Sequence, residues 1–282
     1  MPRIKKIEDL PDVQNETNHK EDFRLQKRIN KVGIRRVMLP CNVERKDGSF
    51  NSSVADVSVY SDLNKHNKGV NMSRFRIILE DVFVNKNVNL RVAIRDTLKN
   101  VKEKLESRDA FLKVAFDYFL TRYAPATKIP SLQNYRCWFE GRLVDGKERF
   151  FLSVTVPYTS LCPCSKKISE YNAHNQRSFG EVIVELKDNV NETCWIEDII
   201  ELVEKSGAAP IINILKRPDE AYQTELMYEN PVFVEDMARK MAILLDKWLD
   251  TKILDYLFIA NHEESIHLHN AVSVISAGRE LK

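Results

Sequence analysis

The chain has no hydrophobic run that approaches the roughly 20 residues of a membrane-spanning helix. Its first residues, Met1 to Lys6, also lack the apolar stretch of a signal peptide, so we expect a cytoplasmic protein. Neither sign of charge dominates, because 43 basic and 41 acidic residues leave a net charge of +2. The overall charge therefore gives no reason to expect nucleic acid or a membrane as a partner.

Cysteine is scarce as well. Five cysteines, an odd number at scattered positions, fit reduced thiols in a reducing compartment better than a disulfide framework. Cys41, Cys137 and Cys194 are expected to be small buried residues without chemistry. The chain also lacks a clear glycine fingerprint for a dinucleotide, which argues weakly against a nicotinamide cofactor.

A length of 282 residues, 43% of them hydrophobic, fits one large domain or two lobes of ordinary size. Residues 1–30 are polar and charged, and we expect them to form a flexible arm. Residues 31–130 then form a first strand-rich unit with a pair of helices. Residues 131–282 form a second such unit, which carries most of the candidate site residues.

Alternating apolar patterns predict strands near 33–40, 54–60, 70–79, 132–143, 149–157, 179–186, 253–260 and 266–275. Helical spacing predicts helices near 92–105, 110–123 and 196–206, and another that begins at Asn230-Pro231. A turn at Asp47-Gly48 joins the first two strands, and residues 216–220 are expected to form a loop. The predicted fold class is α+β with mostly antiparallel sheets.

The segment Ser160-Leu161-Cys162-Pro163-Cys164 is followed by His174, 12 residues after Cys162. A thiolate and a neutral imidazole suit Zn(II), and they also hold Mn(II) or Fe(II) if a carboxylate completes the shell. Both residues follow an apolar strand, and functional sites are commonly built where strands end. The pattern predicts a metal site, and further ligands besides Cys162 and His174 are needed to complete it.

Several segments occur in one order along the chain, and together they resemble type IB GTP cyclohydrolase. They are Asn-Met-Ser-Arg-Phe at 71–75, Ser-Leu-Cys-Pro-Cys-Ser-Lys at 160–166, Ala-His-Asn-Gln-Arg-Ser at 173–178, Lys-Arg-Pro-Asp-Glu at 216–220, Tyr-Glu-Asn-Pro at 228–231 and Glu-Ser-Ile-His at 264–267. The resemblance extends from about Val32 to the last strand. One segment departs from the family pattern, since residues 224–227 lack an arginine that we would expect before Tyr228.

The resemblance implies a tunnelling fold, in which tandem units of antiparallel sheet and paired helices close β-barrels between subunits. It implies a homotetramer with active sites at subunit interfaces. The implied reaction converts GTP and water to formate and 7,8-dihydroneopterin triphosphate. Because C8 of guanine is a poor electrophile, this hydrolysis needs a metal that activates water.

The resemblance also assigns roles to residues of this chain. Cys162, His174 and Glu220 are the expected ligands of a divalent Mn, Zn or Fe ion, with Cys164 as a rival for Cys162. His267 is the expected proton-transfer residue and Glu264 its acidic companion, which requires a bend between them. Glu235 would anchor guanine through two parallel hydrogen bonds. The candidate triphosphate ligands are basic residues close in sequence to these: Lys166, Arg177, Lys216 and Arg217.

Two other hypotheses remain open at this point. A nitrile reductase of the same fold would use Cys162 or Cys164 as a covalent nucleophile and NADPH as the hydride donor, without a metal. A non-catalytic assembly that binds purines or pterins would hold a metal, if any, in a closed shell with both cysteines. His174 and Glu220, as metal ligands, argue against the reductase.

Overall fold

The computed structural model describes residues 27–84, 89–187, 193–278 and 281. Within these ranges the chain forms nine strands and six helices, which confirms the predicted α+β class. The predicted arm lies outside the described residues up to position 26, and the first strand begins at Ile29. No helix in the described part of the chain is both long and apolar enough to span a membrane.

The strands are β1 (Ile29–Glu44), β2 (Phe50–Leu63), β3 (Ala110–Tyr123), β4 (Pro130–Val144), β5 (Lys147–Leu161), β6 (Asn175–Leu186), β7 (Ala209–Pro210), β8 (Ile253–His262) and β9 (Ala271–Ser276). The helices are α1 (Met72–Phe83), α2 (Leu90–Lys104), α3 (Pro163–Ile168), α4 (Ile196–Ser206), α5 (Arg217–Glu229) and α6 (Val234–Asp246). The strand order in the sheet is β1-β2-β3-β4-β5-β6-β8-β9, and β7 pairs with β5. Strands β5, β6, β8 and β9 pair antiparallel in that order.

The described chain divides into two compact units. One comprises the residues up to Cys41 with Ala55–Val114 and Glu140–Glu148, and it contains the helix pair α1 and α2. The other comprises Asn42–Val54, Ala115–Phe139 and the residues from Arg149 onward, and its helices α4 and α6 pack together. The boundary that we place between residues 130 and 131 stays a prediction.

The core of the second unit lies between its helices and one face of β5, β6 and β8. Residues of even number on these three strands share that face, because side chains alternate along a strand. Val154, Val182 and Phe258 form one row across the strands and are fully buried. In the next row, a Cβ at Gly180 would lie only 2.9 Å from Cγ1 of Val203, so the glycine allows α4 to approach the sheet closely.

Two predicted elements are wrong in type. Residues 70–79 were expected to form a strand, but α1 begins at Met72, and its buried residues Phe75, Ile78, Leu79 and Val82 have the helical spacing. Residues 110–123 were expected to form a helix, but they form β3. Their buried residues alternate from Ala110 to Tyr118, so the period is that of a strand although alanine, leucine and lysine favour helices.

Three boundaries also differ from the expectation. Residues 217–220 form the first turn of α5 instead of a loop. Asn230 is the C-cap of α5, and α6 begins only at Val234, so the Asn-Pro pair separates two helices instead of starting one. The last strand begins at Ala271 instead of near 266, because residues 263–270 form a turn and an irregular segment.

Asp219 anchors the first turn of α5. Its side chain is fully buried and accepts hydrogen bonds from the backbone N–H groups of Ala126 and Thr127, both at 2.8 Å, and from the Thr127 hydroxyl at 2.7 Å. It also accepts from the N–H of Lys216 at 3.0 Å. Burial by itself raises its pKa, but these bonds outweigh burial and hold the pKa of Asp219 below its ordinary value.

We therefore expect Asp219→Asn to destabilise the protein, because an amide presents N–H groups to donors that need an acceptor. The midpoint of thermal unfolding should fall by more than about 5 °C. Asp236→Asn is the matched control, since Asp236 is half-exposed and forms a surface ion pair with Arg239 one helical turn away on α6. Equal midpoints for the two variants, measured by circular dichroism, would contradict the anchoring role.

Candidate functional site

The antiparallel pairing of β5 and β6 brings Cys162 and His174 together. The last pair in the register is Leu161 opposite Asn175, and the next residues continue the pairing, since the N–H of Cys162 donates to the carbonyl of His174 at 3.2 Å. Residues directly opposite each other across a strand pair point to the same face. Two of the three predicted metal ligands are therefore adjacent, although 12 residues separate them in the sequence.

Cys162 also caps the short helix α3. Pro163 occupies the first helical position, where its fixed φ angle favours the start of a helix, and the thiol of Cys162 accepts a hydrogen bond from the N–H of Ser165 at 3.4 Å. Cys162 is partly buried, whereas Cys164, within the helix, is exposed. The cap fixes the Cys162 thiol at the end of β5, where the backbone of Cys162 pairs with that of His174.

A polar network lies behind these two residues on the buried face of β5, β6 and β8. We define it by Tyr158, Ser160, Gln176, Ser178 and His262, all of which are buried. The Ser160 and Ser178 hydroxyls are 2.8 Å apart, and the Gln176 amide donates to the Ser160 hydroxyl at 2.7 Å. The Tyr158 hydroxyl lies 3.0 Å from Nε2 of His262. The network connects the apolar core to the candidate ligands.

The His174 imidazole is held by one of its two ring nitrogens. Nδ1 lies 2.9 Å from Oε1 of Gln176 and 3.7 Å from Oε2 of Glu264, and the side chain is only 14% exposed. Nε2 is therefore the nitrogen that remains for a metal. This arrangement fits a metal ligand, because such histidines usually donate their other N–H to a protein acceptor.

A turn connects Glu264 to His267, since the N–H of His267 donates to the carbonyl of Glu264 at 3.4 Å. This is the bend that the two predicted residues require. The Glu264 carboxylate points to the polar network, with Oε1 3.5 Å from Nε2 of Gln176 and 4.0 Å from Nδ1 of His262. The exposed His267 ring stacks on His269 with centroids 5.0 Å apart. Glu264 is thus placed with His174, and His267 is placed at the surface.

Glu220, the third predicted ligand, lies in the first turn of α5 and is exposed. The opposite end of α5 adjoins the His174 loop, because the Tyr228 hydroxyl donates to the carbonyl of Ala173 at 3.3 Å. Eight residues of helix separate Glu220 from Tyr228, or about 12 Å. Among the described residues, no three His, Cys, Asp or Glu side chains are arranged to hold a metal ion by themselves. The structure thus pairs Cys162 with His174 and does not bring Glu220 to them.

The four basic residues predicted for the triphosphate are exposed. The Lys166 ammonium donates to the carbonyl of Tyr228 at the end of α5, and Lys216 and Arg217 begin the same helix. Arg177 lies on β6, opposite Thr159 of β5. It is on the face of the sheet that points away from His174 and Gln176. Three of the four are therefore associated with α5, and Arg177 projects from the other side of the sheet.

Glu235 lies in the first turn of α6 and is exposed, near the polar network. Burial lowers the pKa of His262 to about 4, and the Glu235 carboxylate opposes this shift by raising it. His262 is therefore neutral at pH 7, and Glu235 is close enough to affect it electrostatically. Glu235 thus adjoins the network from the helix side.

Sequence reasoning assigned no role to the network residues. Gln176 and Ser178 lie within a segment that we quoted, but their roles depend on contacts between strands. One signal was available: polar residues occupy even positions at 158, 160, 176 and 178, next to even positions that are apolar, 150–156 on β5 and 180–186 on β6. Polar residues at period two on a buried face indicate a buried hydrogen-bonded network.

Solved structures with the same fold include uricases. The uricase from Arthrobacter globiformis has a TM-score of 0.51 and 11% identity, with 89% of this chain and 94% of that chain covered. The uricase from Bacillus fastidious has a TM-score of 0.51 and 9% identity, with the same coverage. At such low identity the likeness concerns the fold alone, and the fold is the tunnelling fold, as predicted.

The family model for type I GTP cyclohydrolase folE2 matches residues 10–273. GTP cyclohydrolase FolE2 of Nitrosococcus oceani is 40% identical over 247 residues, which cover 88% of this chain and 89% of that protein. The protein of the same name from Azoarcus sp. is 40% identical, and the match covers 97% of this chain and 97% of that protein. The one from Dictyoglomus thermophilum is 38% identical, and the match covers 95% of this chain and 98% of that protein. The chain belongs to the type I GTP cyclohydrolase folE2 family.

The depressed pKa of His262 predicts a pH-dependent stability. The His262 imidazole takes up a proton near pH 6.5 in the unfolded state but only near pH 4 in the folded state. Its contribution to the free energy of unfolding is therefore fully present above pH 6.5 and is lost as the pH falls towards 4. Between pH 7 and pH 5 the loss from this group should be about 2 kcal/mol.

His262→Gln should remove that part of the pH dependence, because glutamine does not titrate but still offers Tyr158 a hydrogen-bond partner. The free energy of unfolding of the wild type and of the variant is measured by chemical denaturation at pH 7 and pH 5. The remaining titratable groups are common to both proteins. Glu235 and Glu264, the carboxylates near His262, are retained in the variant. The same loss in the variant and the wild type would contradict the assignment.

Proposed function

We propose that this protein is a GTP cyclohydrolase that converts GTP and water to formate and 7,8-dihydroneopterin triphosphate. The observation that carries the proposal is the pairing of Cys162 with His174 at the ends of β5 and β6, in a chain of the folE2 family. A cysteine thiol and an imidazole whose Nδ1 is already hydrogen-bonded are a donor set for a transition metal. The family match also disfavours the reductase and the binding assembly.

Cys162, His174 and Glu220 would hold a divalent Mn, Zn or Fe ion. When bound, the ion supplies an activated water for the attack on C8 of guanine. The chain contributes a rigid base for two of these ligands, since Cys162 caps α3 and His174 is bonded to Gln176. Glu220 is the third ligand that the family resemblance implies, and within one chain the described residues do not bring it to the other two.

His267 and Glu264 would move protons during ring opening. His267 lies at the exposed end of the Glu264–His267 turn, where a bound base could reach its imidazole. Glu264 lies between His174, Gln176 and His262, so its carboxylate stays close to the reacting centre. In this arrangement Glu264 has a fixed position and His267 is free to approach the substrate.

Glu235 would select guanine. A carboxylate accepts two parallel hydrogen bonds from N1–H and the exocyclic N2–H of guanine, and adenine lacks this pair of donors. Its place at the start of α6, beside the polar network, sets it on the same side of the sheet as His174. The triphosphate would meet Lys166, Lys216 and Arg217 around α5.

Arg177 would contribute from a second subunit, because within one chain it points away from His174. Such a contribution requires active sites at subunit interfaces, as in the homotetramer that the family resemblance implies. Large apolar side chains surround the site and are highly exposed in the single chain, among them Tyr171 at 91% and Ile168 at 77%. Such residues are typical of a surface that another subunit covers.

Cys162→Ala and His174→Ala should each lose bound metal and formate release together, by at least about 100-fold. Metal content per subunit and formate are measured after reconstitution with Mn, Zn or Fe, with a chelated sample as a control. The oxidised pterin product is followed by its fluorescence. Normal turnover in either variant would refute the ligand assignment. A wild type that leaves GTP intact with every metal would refute the function itself and favour the thiol-dependent reductase.

Glu235→Ala should impair the use of GTP without removing the metal. We expect kcat/KM for GTP to fall about 10–100-fold, which corresponds to the loss of charge-assisted hydrogen bonds. Asp236→Ala is the matched control, because it removes the neighbouring carboxylate from the same turn of α6. Loss of metal in Glu235→Ala, or equal kcat/KM in the two variants, would show that the role assigned to Glu235 is wrong.

A further inference from the structure

The buried Gln176 side chain bonds to His174 at one end and to the serines at the other. Its Oε1 lies 2.9 Å from Nδ1 of His174, and its Nε2 donates to the Ser160 hydroxyl at 2.7 Å. Gln176 is only 7% exposed. A carboxamide has one accepting end and one donating end, so its direction decides what it offers to each neighbour.

The surroundings fix this direction. Oε1 of Glu264 lies 3.5 Å from Nε2 of Gln176, and a carboxylate accepts hydrogen bonds but donates none. With the amide reversed, the Gln176 carbonyl would face that carboxylate with no hydrogen between the two oxygens. Ser160 does not decide between the two directions, because its hydroxyl can donate or accept, as can that of Ser178 beside it. Glu264 thus turns the carbonyl of Gln176 towards His174.

The direction of the amide then determines the tautomer of His174. Both polar neighbours of Nδ1, the Gln176 carbonyl and Oε2 of Glu264, are acceptors. Nδ1 must therefore carry the hydrogen, and Nε2 keeps its lone pair. The opposite tautomer would place two lone pairs against each other at 2.9 Å and would hide the nitrogen that a metal needs.

We propose that Gln176 is a positioning residue for the metal centre: it holds the His174 ring in the orientation and tautomer in which Nε2 faces the metal. The inference rests on the proposed function, because it takes His174 as a ligand. Gln176 itself does not touch the metal or GTP. It acts through His174, and Glu264 in turn orients Gln176.

A purely structural role would not need this residue type. His174 and Gln176 lie two positions apart on one face of β6, where an apolar side chain of similar length would fill the same space. An apolar residue would also avoid the cost of burying an amide, which is about 1–3 kcal/mol when its bonds are incomplete. A buried glutamine that is hydrogen-bonded at both ends supplies an acceptor to one neighbour and a donor to the other. A hydrocarbon side chain cannot supply either group.

Two variants of the full-length protein distinguish the effect of the Gln176 hydrogen-bond acceptor from the effect of its side-chain volume. Gln176→Met has nearly the same length but no strong acceptor for Nδ1. The exchange variant Gln176→Glu/Glu264→Gln keeps an acceptor at the same reach and sets an amide donor, not a second carboxylate, beside it. Ser178→Ala is the matched control: it deletes a buried hydroxyl of the same network, two residues further along β6, that does not contact His174. The affinity for Zn(II) and Co(II) is measured by competition with a chelator, and the Co(II)–thiolate absorption reports whether Cys162 still binds.

We expect Gln176→Met to weaken metal binding about 10–100-fold, while Gln176→Glu/Glu264→Gln and Ser178→Ala stay within about threefold of the wild type. Wild-type affinity in Gln176→Met, or equal losses in Gln176→Met and Ser178→Ala, would overturn the inference. If the methionine variant does not fold, the Gln176→Glu/Glu264→Gln exchange decides: retained affinity supports an acceptor role, and lost affinity refutes it. A wild type that binds no metal would instead refute the proposed function, so the two failures are distinguishable.

Discussion

The antiparallel register of β5, β6 and β8 is the constraint on which the candidate site depends. A slip of one residue would turn every side chain of a strand to the other face, and Cys162 and His174 would no longer share a surface. The register is held far from the site, by buried rows such as Val154, Val182 and Phe258. Each of these side chains contributes about 1.5–3 kcal/mol through burial, whereas a polar contact contributes about 1 kcal/mol net. The apolar rows therefore decide the register, and the polar residues follow.

Along this face the chemistry changes in a regular order. Apolar rows give way to the small residues Gly180 and Ala260, then to a row formed by Tyr158, Ser178 and His262, and finally to the ligand pair. Each polar residue is thus bonded on one side and packed against the core on the other. Such support limits the movement of a ligand more than a loop does, and metal sites need side chains held within about half an ångström.

The parts of the site that could be predicted are those that a short segment contains. Cys162 and His174 were predicted because a thiol, a proline and an imidazole occur within 15 residues of one another. Gln176 and His262 could not be assigned roles, because their partners are fixed by pairing between strands and by a helix elsewhere in the chain. The same limit applies to the fold. Residues 110–123 contain good helix formers, and only their burial against neighbouring elements makes the two-residue period decisive.

Local capping signals have a similar ambiguity. Asn230 and Pro231 fit the start of a helix, yet the Asn230 amide bonds to the carbonyl of Leu226 and ends α5. Asparagine occurs at both helix ends, and proline is common both just after a helix and at its first position. This affects the candidate site, because α6 starts at Val234 and Glu235 therefore lies in its first turn.

The contrast between buried and exposed site residues indicates how the proposed enzyme would divide its tasks. The groups that hold the ligands are buried and bonded: Ser160, Gln176 and His262. The groups proposed to contact GTP are exposed: Glu235, His267 and the basic residues around α5. A nucleotide carries its own charge and must lose water on several sides before it reacts, which one open strand end cannot achieve. On the proposed function, a single chain supplies a rigid metal-binding wall, and a second subunit, with Arg177 on its outer face, is needed to enclose the substrate.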